Sequence, residues 1–288
     1  MFRILAAALT TLMLGFSASD GTACTFNCKK QEIKKLEFMN RTPSDSFDTY
    51  RLRNMLTLPK AHNEKVGIVI LLHSCAGITM RNQYDLARWG DLLLKNGYGV
   101  LAVDHVGPRN VRTNCPPTRP LNSSVLLKDV YSAIEFLSKQ PEVDTSRIFT
   151  LGFSKGAMTG GALVSPERYK QLGNNLPRPR AVAGLYGGCY SSERWLEPGD
   201  IPVLWLVGGK DYETPPHSCS GAVSALKSKG LMTFHKYPNA THCWDCAGLN
   251  GFTKTAGNGN QVTYIYDPEV TKDSEQRVLN FFNSFQGQ

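Results

Sequence analysis

Seven consecutive residues, Val66 to Leu72 (VGIVILL), carry no polar side chain and are rich in β-branched residues. A strand with one wet face alternates polar and apolar positions, whereas an unbroken apolar run of this length suits a strand covered on both faces. Such a strand requires helices above and below its sheet. The chain offers them. Asn82 to Lys95 reads as a helix with Leu86, Trp89, Leu93 and Leu94 on one side and Asn96-Gly97 as its stop. Ser123 to Ser138, Lys155 to Val164, Cys219 to Lys229 and Thr271 to Phe285 read as further helices. Between them lie expected strands at Gly99 to Val103, Arg147 to Leu151, Ala181 to Tyr186, Val203 to Val207 and Met232 to Tyr237, with an earlier one at Thr49 to Leu58. Strand and helix alternate throughout, which predicts an α/β fold with a mostly parallel central sheet and helices on both faces. No internal repeat or linker divides the chain, so residues 24–288 are expected to form one domain, long enough for a sizeable core.

Residues 1–23 read as a secretory signal peptide. Arg3 supplies the positive start, Ile4 to Phe16 the apolar stretch, and Ser17-Ala18-Ser19 and Gly21-Thr22-Ala23 the small residues for cleavage near Ser19 or Ala23. A lipid anchor on Cys24 is disfavoured because Gly21 stands where a Leu-like residue is wanted. No later segment offers 18 consecutive apolar residues, so no membrane span is expected, and the protein is expected to be periplasmic or secreted. Export makes the eight cysteines (Cys24, Cys28, Cys75, Cys115, Cys189, Cys219, Cys243, Cys246) disulfide candidates rather than zinc ligands, with connectivity unreadable from spacing. The formal charge of +8 is spread along the chain, with no run of five basic residues and no nucleic-acid signature; it reads as a basic surface. Composition, at 41% hydrophobic and 19% charged, excludes a wholly disordered chain.

The chemistry is concentrated at Gly152-Phe-Ser-Lys-Gly156, a G-x-S-x-G pattern. Its context gives it weight: a strand ends at Leu151 and a helix begins just after, the strand–turn–helix of a nucleophile elbow. The sharp turn needs small neighbours and lifts the Ser154 hydroxyl above the sheet edge. A serine needs a base, and the base an acid. With the chain order Ser, acid, His of this elbow, the acid falls after Val203–Val207 at Asp211 and the base after Met232–Tyr237 at His242. Glu213 and Asp245 are the rival acids. His235 sits within a strand and reads as structural; His62, His105 and His217 lack a matching strand end, and His73 reads as a brace for its loop. Two backbone amides should face the developing oxyanion, one from Lys155 and one from the loop His73–Gly77, with Cys75 the expected donor and Ser74 in reserve.

The chain resembles the dienelactone hydrolase family of α/β-hydrolases from about Thr49 to its end. The resemblance rests on His73-Ser-Cys-Ala-Gly77, Asp104-His-Val-Gly-Pro-Arg109, Gly152–Gly156, Asp211 before Thr214-Pro215-Pro216, and Tyr237-Pro-Asn-Ala-Thr-His242. It implies the α/β-hydrolase fold. Similarity to exported relatives implies pairs Cys75–Cys115 and Cys189–Cys219, with Cys24–Cys28 and Cys243–Cys246 as short local loops. The chain departs from the family in carrying a serine where dienelactone hydrolase proper uses cysteine, and in lacking that enzyme's acidic residue on the loop His73–Gly77. A serine nucleophile implies acyl transfer on carboxylic esters, a small-molecule substrate and no metal or organic cofactor. A prolyl-oligopeptidase-like peptidase and a non-catalytic binding member are the other readings; the chain shows no propeller repeats. The pocket is expected between segments 104–122, 187–200 and 244–260. Phe153, Tyr190, Trp195, Tyr212 and Trp244 are its candidate walls, and Arg109 or Arg112 a candidate carboxylate ligand, with a bracing role preferred for Arg109. Gly248 to Gln261, rich in Gly, Asn and Thr, reads as a mobile loop.

Overall fold

In the computed structural model, which describes residues 36–40, 46–62, 64–118, 120–173, 175–189, 196 and 199–286, the run Val66–Leu72 is a strand buried at every position. In chain order the elements are β1 (Met39–Asn40), α1 (Thr49–Leu52), β2 (Met55–Thr57), β3 (Val66–Leu72), α2 (Gln83–Lys95), β4 (Gly99–Val103), α3 (Ser123–Leu137), β5 (Val143–Phe153), α4 (Lys155–Ala162), α5 (Pro166–Leu172), β6 (Ala181–Leu185), β7 (Val203–Gly208), α6 (Ser220–Lys227), β8 (Met232–Tyr237), β9 (Thr253–Thr255), β10 (Gln261–Thr263) and α7 (Pro268–Asn283). One sheet takes the order β1-β2-β4-β3-β5-β6-β7-β8, and every neighbouring pair is parallel except β2 with β4. Among the described residues no helix is long and apolar enough to cross a membrane.

Successive residues of β3 feed opposite faces, as a period of two requires. Val69 and Leu71 pack with Trp89, Tyr98, Phe149 and Phe282, under α2 and α7. Ile68, Ile70 and Leu72 pack with Leu127, Ile134 and Met158, under α3 and α4. Registers Leu72↔Gly152, Phe153↔Leu185 and Gly208↔Tyr237 bring the C-terminal ends of β3, β5, β6, β7 and β8 to one edge of the sheet. The loops leaving those ends form the site, as is general for open α/β sheets.

The closest backbone approach lies under the turn between β5 and α4. A Cβ on Gly156 would stand 1.9 Å from the Leu72 carbonyl oxygen, and one on Gly152 would stand 2.3 Å from the Gly156 carbonyl oxygen. The Leu72 carbonyl belongs to β3, paired in register with β5, and the Gly156 carbonyl to the first turn of α4, so neither can retreat without disturbing its element. Gly156→Ala is therefore expected to cost about 3 kcal/mol or more, read as a lowered urea midpoint at unchanged slope.

Several elements differ from expectation. Thr49–Leu58 splits into α1 and the short β2. Its apolar positions suit either period, and the break comes at Asn54, in the left-handed region at φ 57°. Helix α5 was not anticipated, although Ser165 caps it by accepting the Arg168 N–H and Pro166 follows. Gly248–Gln261 is not a structureless loop: β9 lies within it and pairs antiparallel with β10, which begins at Gln261. Disulfides join Cys75 to Cys115, Cys189 to Cys219 and Cys243 to Cys246. The first two close spans of 40 and 30 residues, which restrains the unfolded chain by about 4 kcal/mol each in the chain-entropy account. The expected signal peptide (residues 1–23), Cys24 and Cys28 lie outside the described residues.

Candidate active site

Ser154 sits where β5 turns into α4, with φ 52° and ψ −112°. A serine in that region is strained by about 1–3 kcal/mol. The surroundings impose it: the Ser154 N–H donates to the Leu185 carbonyl at 3.0 Å, and its own carbonyl accepts the Met158 N–H at 3.1 Å. The side chain is thereby lifted off the end of the sheet, and the residue is only 7% exposed.

His242 arrives from the loop after β8. Its Nε2 lies 3.0 Å from Ser154 Oγ, and its Nδ1 lies 2.8 Å from Asp211 Oδ2. Asp211, on the turn after β7, is fully buried. Its Oδ1 accepts the Glu213 and Thr214 amides at 2.9 and 2.8 Å, and its Oδ2 accepts the Thr214 hydroxyl at 2.7 Å. Those donors hold the carboxyl as an acceptor, so His242 Nδ1–H donates to it and Nε2 is left to accept the Ser154 hydroxyl. Burial works against charge on His242, but the Asp211 carboxylate first and Glu213 next outweigh it, so its pKa is raised. A hydroxyl, an imidazole and a buried carboxylate linked in this way can move a proton from Oγ to Nε2 and back.

The rival acids take other positions. Glu213 Oε2 is 4.0 Å from Nε2, the nitrogen turned to Ser154 and not the one turned to Asp211. Asp245 is taken up by other donors. It is buried and accepts Trp89 Nε1–H at 2.7 Å, Tyr186 O–H at 2.8 Å and Arg88 Nη2–H at 3.3 Å. Tyr186, so anchored, packs its ring 4.9 Å from that of His242. Asp85 lies beneath the same group. Burial first, then the Asp245 charge, raise its pKa to about 7. Asp85, Trp89 and Tyr186 are site residues that sequence reasoning missed as a group, since nothing in the spacing links helix α2 to the loop after β8.

A second buried cluster underlies the loop after β3. His73 Nδ1–H donates to the Ser74 carbonyl at 2.6 Å, and its Nε2 accepts the His105 N–H at 3.0 Å. Burial, then the neighbouring His105, lower its pKa to about 4, so it braces the loop as a neutral ring. His105 Nδ1 is 2.9 Å from Asp129 Oδ2, and Arg109 donates twice to the Asp129 carboxylate at 2.7 and 2.8 Å. Arg109 is therefore a brace of the 104–122 loop. Arg112 instead is exposed at the mouth of the cavity that contains Ser154.

That cavity measures about 680 Å³ and takes its walls from Cys75, Phe153, Tyr186, Glu213, Phe252 and Tyr264 among others. Two expected walls are corrected. Trp244 is wholly buried in the core between Tyr186 and Tyr237, and Tyr212 is 58% exposed and lines a separate hollow behind Asp211. Tyr190 and Trp195 lie outside the described residues, and no described residue of 187–200 reaches the cavity. His62, His217 and His235 do not line it either. Lys155 opens α4 directly after Ser154. Among the described residues one cluster has metal-ligand spacing, Cys243, Asp245 and Cys246, but its two sulfurs are bonded to each other and offer no thiolate.

The profile of the dienelactone hydrolase family matches residues 52–286. No curated protein matches the chain in sequence. Three solved structures illustrate the fold it shares. A Klebsiella pneumoniae subsp. pneumoniae MGH 78578 protein described as a dienelactone hydrolase is 20% identical, with a TM-score of 0.58 over 79% of this chain and 91% of that one. A truncated carbohydrate esterase from gut microbiota is 15% identical, with a TM-score of 0.55 over 81% and 90%. Thermogutta terrifontis esterase 2, phosphoramylated by tabun, is 12% identical, with a TM-score of 0.58 over 80% and 88%.

Proposed function

Since the chain belongs to the dienelactone hydrolase family, we propose that it is an exported serine hydrolase that cleaves small carboxylic esters through an acyl-enzyme on Ser154. The observation that carries this reading is the chain Ser154 Oγ–His242 Nε2 at 3.0 Å and His242 Nδ1–Asp211 Oδ2 at 2.8 Å, set in the cavity wall on a strained elbow. Ser154 Oγ attacks the ester carbonyl while His242 takes its proton; Asp211 holds the ring in the required tautomer and balances the imidazolium. The amides of Lys155 and Cys75 receive the negative oxygen, one at the start of α4 and one on the loop after β3. His242 returns the proton to the departing alcohol. Water then releases the acid by the same route in reverse.

Export is supported by the signal-like residues 1–23 and by three disulfides, which suit an oxidising compartment. The test is labelling by a fluorophosphonate probe, with the adduct located by peptide mapping, beside rates on p-nitrophenyl esters and peptide anilides. A Ser154 adduct with ester but not anilide cleavage is expected. An unlabelled Ser154 sinks the reading, and anilide cleavage replaces the esterase by a peptidase.

The raised pKa of His242 has a consequence for pH. The base must be neutral to act, so kcat/KM should fall as pH drops through a pKa above histidine's ordinary 6.5. The groups facing the ring are Asp211, Glu213, Lys254, Tyr186, Thr214 and Tyr264. A pH–rate profile on a neutral ester checks it; an acid limb centred below 6.5 contradicts it.

A further inference from the structure

Glu213 stands two residues after Asp211 and lines the same cavity as Ser154 and His242. Its Oε2 lies 4.0 Å from His242 Nε2, on the side where protons enter and leave. Two groups fix its orientation. Lys254 Nζ donates to Oε1 at 2.8 Å, and the Tyr264 hydroxyl donates to Oε2 at 2.7 Å. Lys254 lies on β9 and Tyr264 directly follows β10; the Tyr264 ring also packs 5.4 Å from the His242 ring. The hairpin tip is tied to the same turn, where the Asn258 and Asn260 amides donate to the Tyr212 carbonyl at 2.8 and 2.9 Å. A bridge to Lys254 alone would not require the carboxylate to face Nε2. Here a separate hydroxyl holds the near oxygen there.

We propose that Glu213 positions the water that releases the acyl group from Ser154, an inference that rests on the acyl-enzyme reading above. A water about 2.8 Å from each of two atoms 4.0 Å apart subtends about 90°, within its hydrogen-bonding range. In the release step the water oxygen bonds to the acyl carbon. One of its protons passes to His242 Nε2, and its other hydrogen is donated to Glu213 Oε2 and stays on the oxygen. Collapse of the tetrahedral intermediate breaks the bond from the acyl carbon to Oγ, Nε2 returns its proton to Oγ, and the carboxylic acid departs. Glu213 begins and ends ionised. During acylation the substrate's leaving group occupies that place, so Glu213 serves the second half-reaction more than the first.

Stopped-flow hydrolysis of p-nitrophenyl acetate separates the halves: the burst reports acylation, the steady state deacylation. In Glu213→Ala the burst rate should stay within about three-fold of the parent, while the steady state slows by about ten-fold or more. Acetylated Ser154 should then accumulate by intact mass after acid quench. Glu213→Gln, which keeps an acceptor oxygen, should fall between, and Tyr264→Phe should slow the same step by a smaller factor without disturbing Lys254. Equal losses in both phases, or none in either, overturn the proposal. A burst that survives Ser154→Ala overturns the acyl-enzyme reading itself, and is thereby told apart.

Discussion

Ser154→Ala should lower kcat/KM on p-nitrophenyl esters by about 10⁴- to 10⁶-fold, with the fold intact. The size follows from what remains. Without Oγ no acyl-enzyme forms, and His242 and Asp211, 3.0 and 2.8 Å along the chain of hydrogen bonds, have nothing to activate but bulk water. Donor amides and binding alone give a residue of about 10³–10⁴ over the uncatalysed rate. In the proposed mechanism the three side chains act as one unit, so His242→Ala combined with Ser154→Ala should cost little more than either alone. The measurement is a progress curve at matched protein concentration, with thermal denaturation as the control. Stability should hold or rise, since alanine enters the left-handed elbow no worse than serine and Oγ is exchanged for a smaller group. Equal activity in parent and variant would place the chemistry elsewhere.

The second large effect concerns a change of one heavy atom. Asp211→Asn is expected to reduce kcat by about 10⁴-fold while leaving KM near its parent value. Asp211 Oδ1 accepts the Glu213 and Thr214 amides, so an asparagine keeps its carbonyl oxygen there and turns its NH₂ toward His242. That NH₂ then donates to Nδ1, the ring carries its proton on Nε2, and Nε2 can no longer accept from Ser154. The Thr214 hydroxyl, 2.7 Å from Oδ2, loses an acceptor as well but retains the Tyr186 carbonyl at 2.9 Å. Proton NMR of the ring N–H, which should move from Nδ1 to Nε2, checks the cause separately from the rate. A variant with near-parent kcat would mean that another acid orients the ring.

Much of this site was legible because strand ends are legible. VGIVILL, GVLAV and VLWLVG announce buried parallel strands. The chain leaves each at the same edge, so Ser154, Asp211 and His242 are neighbours by topology although far apart in sequence. What the order of strands does not encode stayed hidden. Asp245 reads as a loop residue, and nothing local reveals that Trp89 and Tyr186 donate to it across 156 and 59 positions. Tyr212 and Trp244 both look like pocket aromatics in a string of letters; burial alone separates a core residue from a solvated one. The stretch around Gly257–Gly259 has the composition of a flexible loop. It becomes a hairpin because Thr253 and Thr263 pair across it and Asn258 and Asn260 anchor its tip.

The bond between Cys75 and Cys115 bears on how this protein would be made and counted. It fastens the loop after β3 to the long loop after β4, where the Asn114 amide also donates to the Cys75 carbonyl at 2.8 Å. The sheet beneath is built on apolar layers, and the Cys75–Cys115 and Cys189–Cys219 bonds restrain the unfolded chain besides. Chains produced in a reducing bacterial cytosol would thus lose that restraint, and those that still fold would carry an untethered wall beside Ser154. Yield by absorbance would then overstate working enzyme, and, on the proposed Ser154 mechanism, titration with a stoichiometric serine-directed reagent, not protein mass, becomes the proper denominator for any turnover number.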